Sequence, residues 1–317
     1  MAETSRIEWT DTSWNVVTGC SRVSSGCQRC YAEVFLRRWA GVAGHPFATG
    51  FVPTIHPGRL GEPLRWPRPR RVFVAALGDL FHDAVPDAFI AEVFAVMLAA
   101  HWHTFQVLTK RHARMRALLS QGRFAELVFQ LATDRYPADA RLRRWPLPNV
   151  WLGVSAETQR WADLRIPALL DTPAALRWVS CEPLLGPVDL SRWFKRVQHA
   201  CDRCHVPGPL DWHSAHLWGT CPCLCHPTPP VRPDWVVVGG ESGPGARPLD
   251  PAWVRQLVDL GDVAQVPVFV KQLGTAFART QGQRGRGADP DQWPPALRVR
   301  AFPTPTTAPA LSTQEER

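Results

Sequence analysis

The chain has 317 residues, 45% of them apolar and 20% charged, which is enough for one large α/β domain or two small ones. No apolar run reaches the roughly 18 residues of a membrane span, and the opening Met1-Ala2-Glu3-Thr4-Ser5-Arg6 lacks the charged-then-apolar plan of a secretion signal. A cytoplasmic protein with no membrane partner is therefore expected. The net charge of +8 favours polyanionic partners such as nucleic acid, although all basic residues except Lys110, Lys195 and Lys271 are arginine, a bias that a GC-rich genome produces by itself. Nine cysteines in a reducing compartment read as metal ligands or reactive thiols rather than disulfides.

In chain order, strands are expected at residues 14–18, 71–76, 104–109, 150–155, 176–181, 235–239 and 266–271. Most are continuously apolar, as in Val236-Val237-Val238 and Val268-Phe269-Val270. Strands that are apolar on both faces suit a parallel sheet covered by helices. Helix-length segments follow most of them. Residues 87–102 carry Phe89, Ile90, Val93, Phe94, Met97 and Leu98 at helical spacing after Pro86, and 160–170 and 251–260 read as further crossover helices. The alternation predicts an α/β fold, a partial or complete (β/α) TIM-like barrel with parallel strands. A doubly wound open sheet is the other solution, because strand order is not written in the pattern.

The barrel is expected over residues 1–274, interrupted by a Cys/His-rich insertion at 199–233 and followed by a flexible tail at 275–317 rich in Arg, Gly, Pro, Thr and Gln. In the insertion, Cys201-Asp202-Arg203-Cys204-His205 precedes Cys221-Pro222-Cys223-Leu224-Cys225-His226. Paired Cys-x-x-Cys-type knuckles in so short a segment predict a structural zinc held by Cys201, Cys204, Cys221 or Cys223, and Cys225. An auxiliary iron–sulfur cluster is the other occupant that these ligands suit.

In a (β/α) barrel the working residues sit at the C-terminal strand ends. Here those ends carry Asp79 and His82-Asp83, Thr109-Lys110-Arg111, Ser155 and Glu157, Cys181-Glu182, Gly239-Gly240-Glu241, and Lys271-Gln272. Glu182 is read as a pocket residue. Cys181 is either a hydrogen-atom donor, an extra ligand, or an ordinary core cysteine. Asp79, His82, Asp83 and Glu241 would also serve a metal-dependent hydrolase.

The first strand runs into Gly19-Cys20, then Cys27-Gln28-Arg29-Cys30-Tyr31. Three thiolates on one loop suit a 4Fe–4S cluster that keeps one iron open, whereas a structural zinc normally takes four donors. Together with Ile7-Glu8-Trp9-Thr10, Asp79-Leu80-Phe81-His82, Leu108-Thr109-Lys110-Arg111, Ser180-Cys181-Glu182-Pro183 and Gly239-Gly240-Glu241-Ser242-Gly243, this loop resembles the phage-type three-cysteine-motif family of uncharacterised proteins, over about residues 5–274.

More distantly it resembles radical S-adenosylmethionine enzymes, which place three cysteines after the first barrel strand. Here six residues separate Cys20 from Cys27, and the aromatic Tyr31 follows the last cysteine. That resemblance implies a cluster on Cys20, Cys27 and Cys30, S-adenosylmethionine as cofactor, an electron donor as partner, and a deoxyadenosyl radical as the agent. It also implies cofactor contacts from Asp79, Glu241, Ser155, Glu157 and Lys271, and a catalytic place for Lys110, Cys181 and Glu182, on a nucleotide or nucleic-acid base. A zinc-containing nucleic-acid-binding protein without catalysis is the alternative.

Overall fold

The apolar runs do become strands. The computed structural model describes residues 5, 7–137, 143–194 and 232–304. Its main sheet contains β1 (Thr12–Trp14), β4 (Arg71–Val74), β5 (Thr104–Thr109), β6 (Val150–Ser155), β7 (Leu176–Cys181), β8 (Trp235–Gly239) and β9 (Val268–Gln272). These seven strands lie in sequence order and every neighbouring pair is parallel. β1 and β9 stand at opposite edges, so the sheet is a curled half-barrel rather than a closed one. Parallel neighbours need crossovers. Those among the described residues are α2 (Asp87–Ala99), the pair α3 (His112–Leu119) and α4 (Gly122–Arg135), α5 (Gln159–Leu170), and α7 (Pro251–Ala264). A short α1 (Tyr31–Arg37) follows the cysteine loop, α6 (Ser191–Phe194) follows β7, and α8 (Gly274–Thr280) follows β9.

The first strand differs from expectation. Residues 14–18 do not form one strand. The sheet takes Thr12–Trp14, and the chain then turns away so that β2 (Val17–Thr18) pairs antiparallel with β3 (Thr54–Ile55). Asn15 holds the departure, its Oδ1 accepting from Leu77 N–H at 3.1 Å.

Side chains alternate across the sheet. The outer face packs Val72, Val74, Val107, Val154, Val179, Cys181, Val236 and Val238 against the helices. The inner face stacks Trp9, Phe73, Trp151, Trp178, Trp235 and Phe269 into an aromatic floor, with ring centroids 4.7 Å apart for Trp9–Phe73 and 5.1 Å for Trp9–Trp178. Toward the C-terminal ends the inner positions turn small or polar: Trp151 gives way to Gly153 and Ser155, Trp178 to Ser180 and Glu182, and Phe269 to Lys271. Gly153 is dictated by packing, since a Cβ there would lie 2.4 Å from the Trp178 ring.

The segment after β9 is folded, where a flexible tail was expected. Val270 N–H donates to Val299 O and Ala301 N–H to Val268 O, both on the free edge of β9. Trp293 and Leu297 are buried in the outer core. Covering an exposed strand edge and burying two apolar side chains outweighs the polar composition of the intervening loop. Residues 305–317 and the cysteine-rich part of the insertion, with Cys201, Cys204, Cys221, Cys223 and Cys225, lie outside the described residues. Among the described residues no helix is long and apolar enough to cross a membrane.

Candidate functional site

The cysteine loop starts where β2 ends. Gly19 adopts φ +76°, and a Cβ there would meet Val52 O at 2.3 Å, so only glycine lets the loop pass this close to residues 51–52. Cys20 N–H donates to Phe51 O at 3.2 Å. A single helical turn, Ser25–Cys27, then leads to Cys30 at the N-terminal boundary of α1. Tyr31, next to it, donates its hydroxyl to Ala76 O at 2.5 Å and fastens the loop to the end of β4.

Two buried networks press the loop onto the strand ends. In the first, Glu157 Oε1 accepts from Gly26 N–H at 3.3 Å and Oε2 from Arg165 Nη1 at 2.8 Å. Both side chains are fully buried, and Arg165 Nη1 also donates to Ser155 O at 2.9 Å. Burial alone would raise the Glu157 carboxyl, but Lys110 and Arg165 hold it below the ordinary carboxylate value. In the second, Arg111 Nη2 donates to Ser21 Oγ at 2.7 Å and lies 3.9 Å from Cys20 Sγ. His82 Nδ1 accepts from Ala84 N–H, which leaves Nε2 to donate to Ser21 Oγ at 3.0 Å.

The three cysteines line one cavity, of about 630 Å³, together with Asp79, Lys110 and Ser155. Burial pushes the Cys20 thiol up to about 11, with Asp79 adding to the rise and Arg111 opposing it. Burial also raises Cys30, against the pull of backbone N–H groups and of Lys110. As free thiols these groups would be protonated and poorly nucleophilic at neutral pH.

A second cavity, of about 730 Å³, adjoins the first and shares Cys30, Tyr31, Phe73, Leu108, Lys110 and Ser155 with it. Its far wall holds Glu182, Glu241, Lys271 and Gln272. Lys271 Nζ lies 3.1 Å from Glu182 Oε1. Glu241 is clamped by Arg247, through Nη2 at 2.5 Å, Nε at 3.0 Å and the backbone N–H at 2.8 Å. Burial opposes its ionisation, but Arg247 outweighs burial and keeps it below its ordinary value.

The structure thus gathers Cys20, Cys27, Cys30, Asp79, Lys110, Ser155, Glu182, Glu241 and Lys271 around two joined cavities. It separates two others. Cys181 is fully buried on the outer face among Val179, Val238 and the helices, and lines neither cavity, because the neighbouring Ser180 takes the inward position. Glu157 lies beneath the cysteine loop and serves that loop. Asp79 spends its carboxylate within the fold, accepting from Thr109 Oγ1 at 2.7 Å, Phe81 N–H at 3.0 Å and Lys110 N–H at 3.1 Å. The hydrolase grouping does not form: among the described residues no three His, Cys, Asp or Glu side chains could hold a metal ion together.

Arg165 and Arg247 were not singled out from the sequence. Arg165 had a signal. It occupies a buried stripe of α5 with Ala162, Ile166 and Leu169, where helical spacing calls for an apolar residue. Arg247 had none, since it comes from an irregular loop.

The donor set suits a cluster better than a single ion. Three sulfurs face one cavity without forming a single-ion site, and the cations Arg111 and Lys110 stand beside them to offset negative charge.

No curated protein matches the chain. Among solved structures, a spore photoproduct lyase mutant with bound AdoMet and dinucleoside spore photoproduct is similar at 10% identity and TM-score 0.35, over 58% of this chain and 48% of that one. Spore photoproduct lyase complexed with dinucleoside spore photoproduct is similar at 10% identity and TM-score 0.38, over 76% and 58%. The chain spans about half the length of these lyase chains. Residues 4–295 match the family described as protein of unknown function (DUF5131), and the chain belongs to that family.

Proposed function

We propose that this protein is a radical S-adenosylmethionine-type iron–sulfur enzyme acting on a nucleotide or nucleic-acid base. The observation that carries the reading is the placement of Cys20, Cys27 and Cys30 on one cavity at the C-terminal rim of a (β/α) half-barrel, with Lys110 and Ser155 shared by a second cavity alongside. In this reading the three cysteines hold a 4Fe–4S cluster. When bound, the cluster supplies the electron for reductive cleavage of S-adenosylmethionine.

The chain's own residues do the positioning. Glu157 and Arg165 fix the backbone of the loop at Gly26, and Arg111 with His82 fixes it at Ser21. Lys110 and Ser155 stand where the two cavities meet, so they can orient a cofactor carboxylate or hydroxyl on one side and a substrate on the other. Phe73, Leu108 and Tyr31 line the same junction and keep water from the reacting atoms. Glu182 with Lys271, and Glu241 with Arg247, give the substrate side fixed charges of both signs.

Anaerobic reconstitution with iron and sulfide tests the reading, followed by visible absorbance and electron spin resonance with and without S-adenosylmethionine. A cluster whose reduced spectrum shifts on addition of S-adenosylmethionine is expected. Failure to retain iron removes the proposal. Zinc alone, with DNA binding that weakens steeply with salt, would favour the zinc-containing binding protein instead. The spacing of Cys201, Cys204, Cys221, Cys223 and Cys225 keeps a structural zinc in the insertion as part of the proposal, and the same metal analysis reads it as zinc that survives mutation of the first three cysteines.

A further inference from the structure

Several buried polar side-chain atoms lack a hydrogen-bond partner, and three of them belong to residues that line the second cavity: Trp9 Nε1, Gln272 Oε1 and Glu182 Oε1. Glu182 Oε1 keeps its ion pair with Lys271. The other two are isolated. Trp9 is 1% exposed and Gln272 4% exposed. The Gln272 amide is already oriented, because its Nε2 donates to Gly240 O at 3.0 Å, which leaves Oε1 as the free acceptor. Folded proteins leave few such atoms unmet, so their occurrence together at one cavity points to a ligand that meets them.

The unmet pair is one donor, the Trp9 indole N–H, and one acceptor, the Gln272 carbonyl. A ligand that answers both carries a carbonyl and an N–H on one frame. The aromatic rings of Trp9, Phe73 and Tyr31 around the same space suit a flat frame. Two cations stand on this cavity: Lys110, whose Nζ has no ion-pair partner within 4 Å among the described residues, and Arg29, which reaches Glu241 only at 3.8 Å. A flat ring with a lactam-type edge and an anionic arm is a nucleotide.

We propose that the second cavity is a nucleotide subsite, distinct from the three-cysteine cavity. The base edge pairs with Trp9 Nε1–H and Gln272 Oε1, and the phosphate meets Lys110 and Arg29. Its role as a substrate site rests on the function proposed above, but the binding itself needs no cluster.

Isothermal titration calorimetry on the full-length, metal-free protein tests it, with GMP, UMP, CMP, TMP and AMP, and with inorganic phosphate and S-adenosylmethionine as separate titrants. At least one lactam-bearing nucleotide should bind saturably and at least tenfold more tightly than phosphate. Trp9→Phe, which keeps the ring and deletes the N–H, should weaken it at least fivefold. Lys110→Met should weaken the nucleotide to the level of its nucleoside and leave the nucleoside unchanged. No saturable nucleotide binding overturns the inference. So does binding indifferent to both substitutions, phosphate bound as tightly as the nucleotide, or displacement of the nucleotide by S-adenosylmethionine. The Cys20→Ala, Cys27→Ala, Cys30→Ala triple variant separates the two proposals. Nucleotide binding that persists in a protein unable to load iron upholds the subsite even if the enzyme reading fails. A protein that loads a cluster but ignores nucleotides loses the subsite alone.

Discussion

Ser180 and Cys181 are consecutive on β7, yet they serve opposite sides of the molecule. Ser180 faces the inner cavity beside Glu182, while Cys181 is sealed between sheet and helices. The same parity holds on β6, where Val154 packs outward and Ser155 lines both cavities. Position within the strand, more than residue type, separates groups that can meet a ligand from groups that only fill space. A buried thiol on the outer face is a small hydrophobe. A thiol on the rim loop is a ligand in waiting.

Mutation of the two faces should therefore give effects of different kind as well as size. The largest effect belongs to the rim loop. Cys27→Ala or Cys30→Ala should abolish iron retention after reconstitution, read by iron analysis and visible absorbance, with the fold intact by circular dichroism. Iron bound at wild-type levels in both variants would dissolve the distinction between the faces.

Next comes the support beneath that loop. Glu157→Ala strands the Arg165 guanidinium in a fully buried site, and chemical denaturation should register a loss of about 3–5 kcal/mol. Adding Arg165→Met should recover much of it. The third effect tests the aromatic floor. Gly153→Ala places a methyl group 2.4 Å from the Trp178 ring and should cost about 1–3 kcal/mol, measured the same way.

The outer face should respond least. Cys181→Ala should cost about 1 kcal/mol and leave iron content unchanged. Were iron lost instead, Cys181 would belong to the centre after all. Glu241 offers a pH-dependent contrast on the inner side. Its carboxyl is held below the ordinary value of 4.5 because Arg247 outweighs burial. Its contribution to stability is therefore complete above about pH 4.5 and is lost as pH falls through the depressed native value. Denaturation curves between pH 6 and 3 (about this range suffices) should show a shallower acid-side fall in Glu241→Gln than in the unmodified protein.

The strand-by-strand rhythm of the barrel was legible in the sequence because buried parallel strands must be apolar on both faces and their crossovers must show helical spacing. Five of the seven expected sheet strands, at 104–109, 150–155, 176–181, 235–239 and 71–76, map onto observed strands with ends shifted by no more than two residues. The rim residues were legible for the same reason, since each strand end marks the rim. Two readings failed where local pattern and tertiary demand diverge. Residues 14–18 looked like one strand, but the chain has to leave the sheet at Asn15 to deliver the cysteine loop. The segment beyond β9 looked mobile by composition, but an open half-barrel leaves an edge, and the chain's own residues 299–301 cover it.

What the residue string determined unaided was the class of fold, the order of strands along the chain, and three sulfur donors on the first long loop. Periodicity and spacing are local properties, so they survive in one dimension. What folding alone settled was which polar groups meet. The burial of Arg165 under Gly26, the clamp of Arg247 on Glu241, the exile of Cys181 and the unanswered atoms of Trp9 and Gln272 all depend on contacts between distant segments. Such contacts follow from the curl of the sheet and the facing of each strand, and no local pattern encodes them.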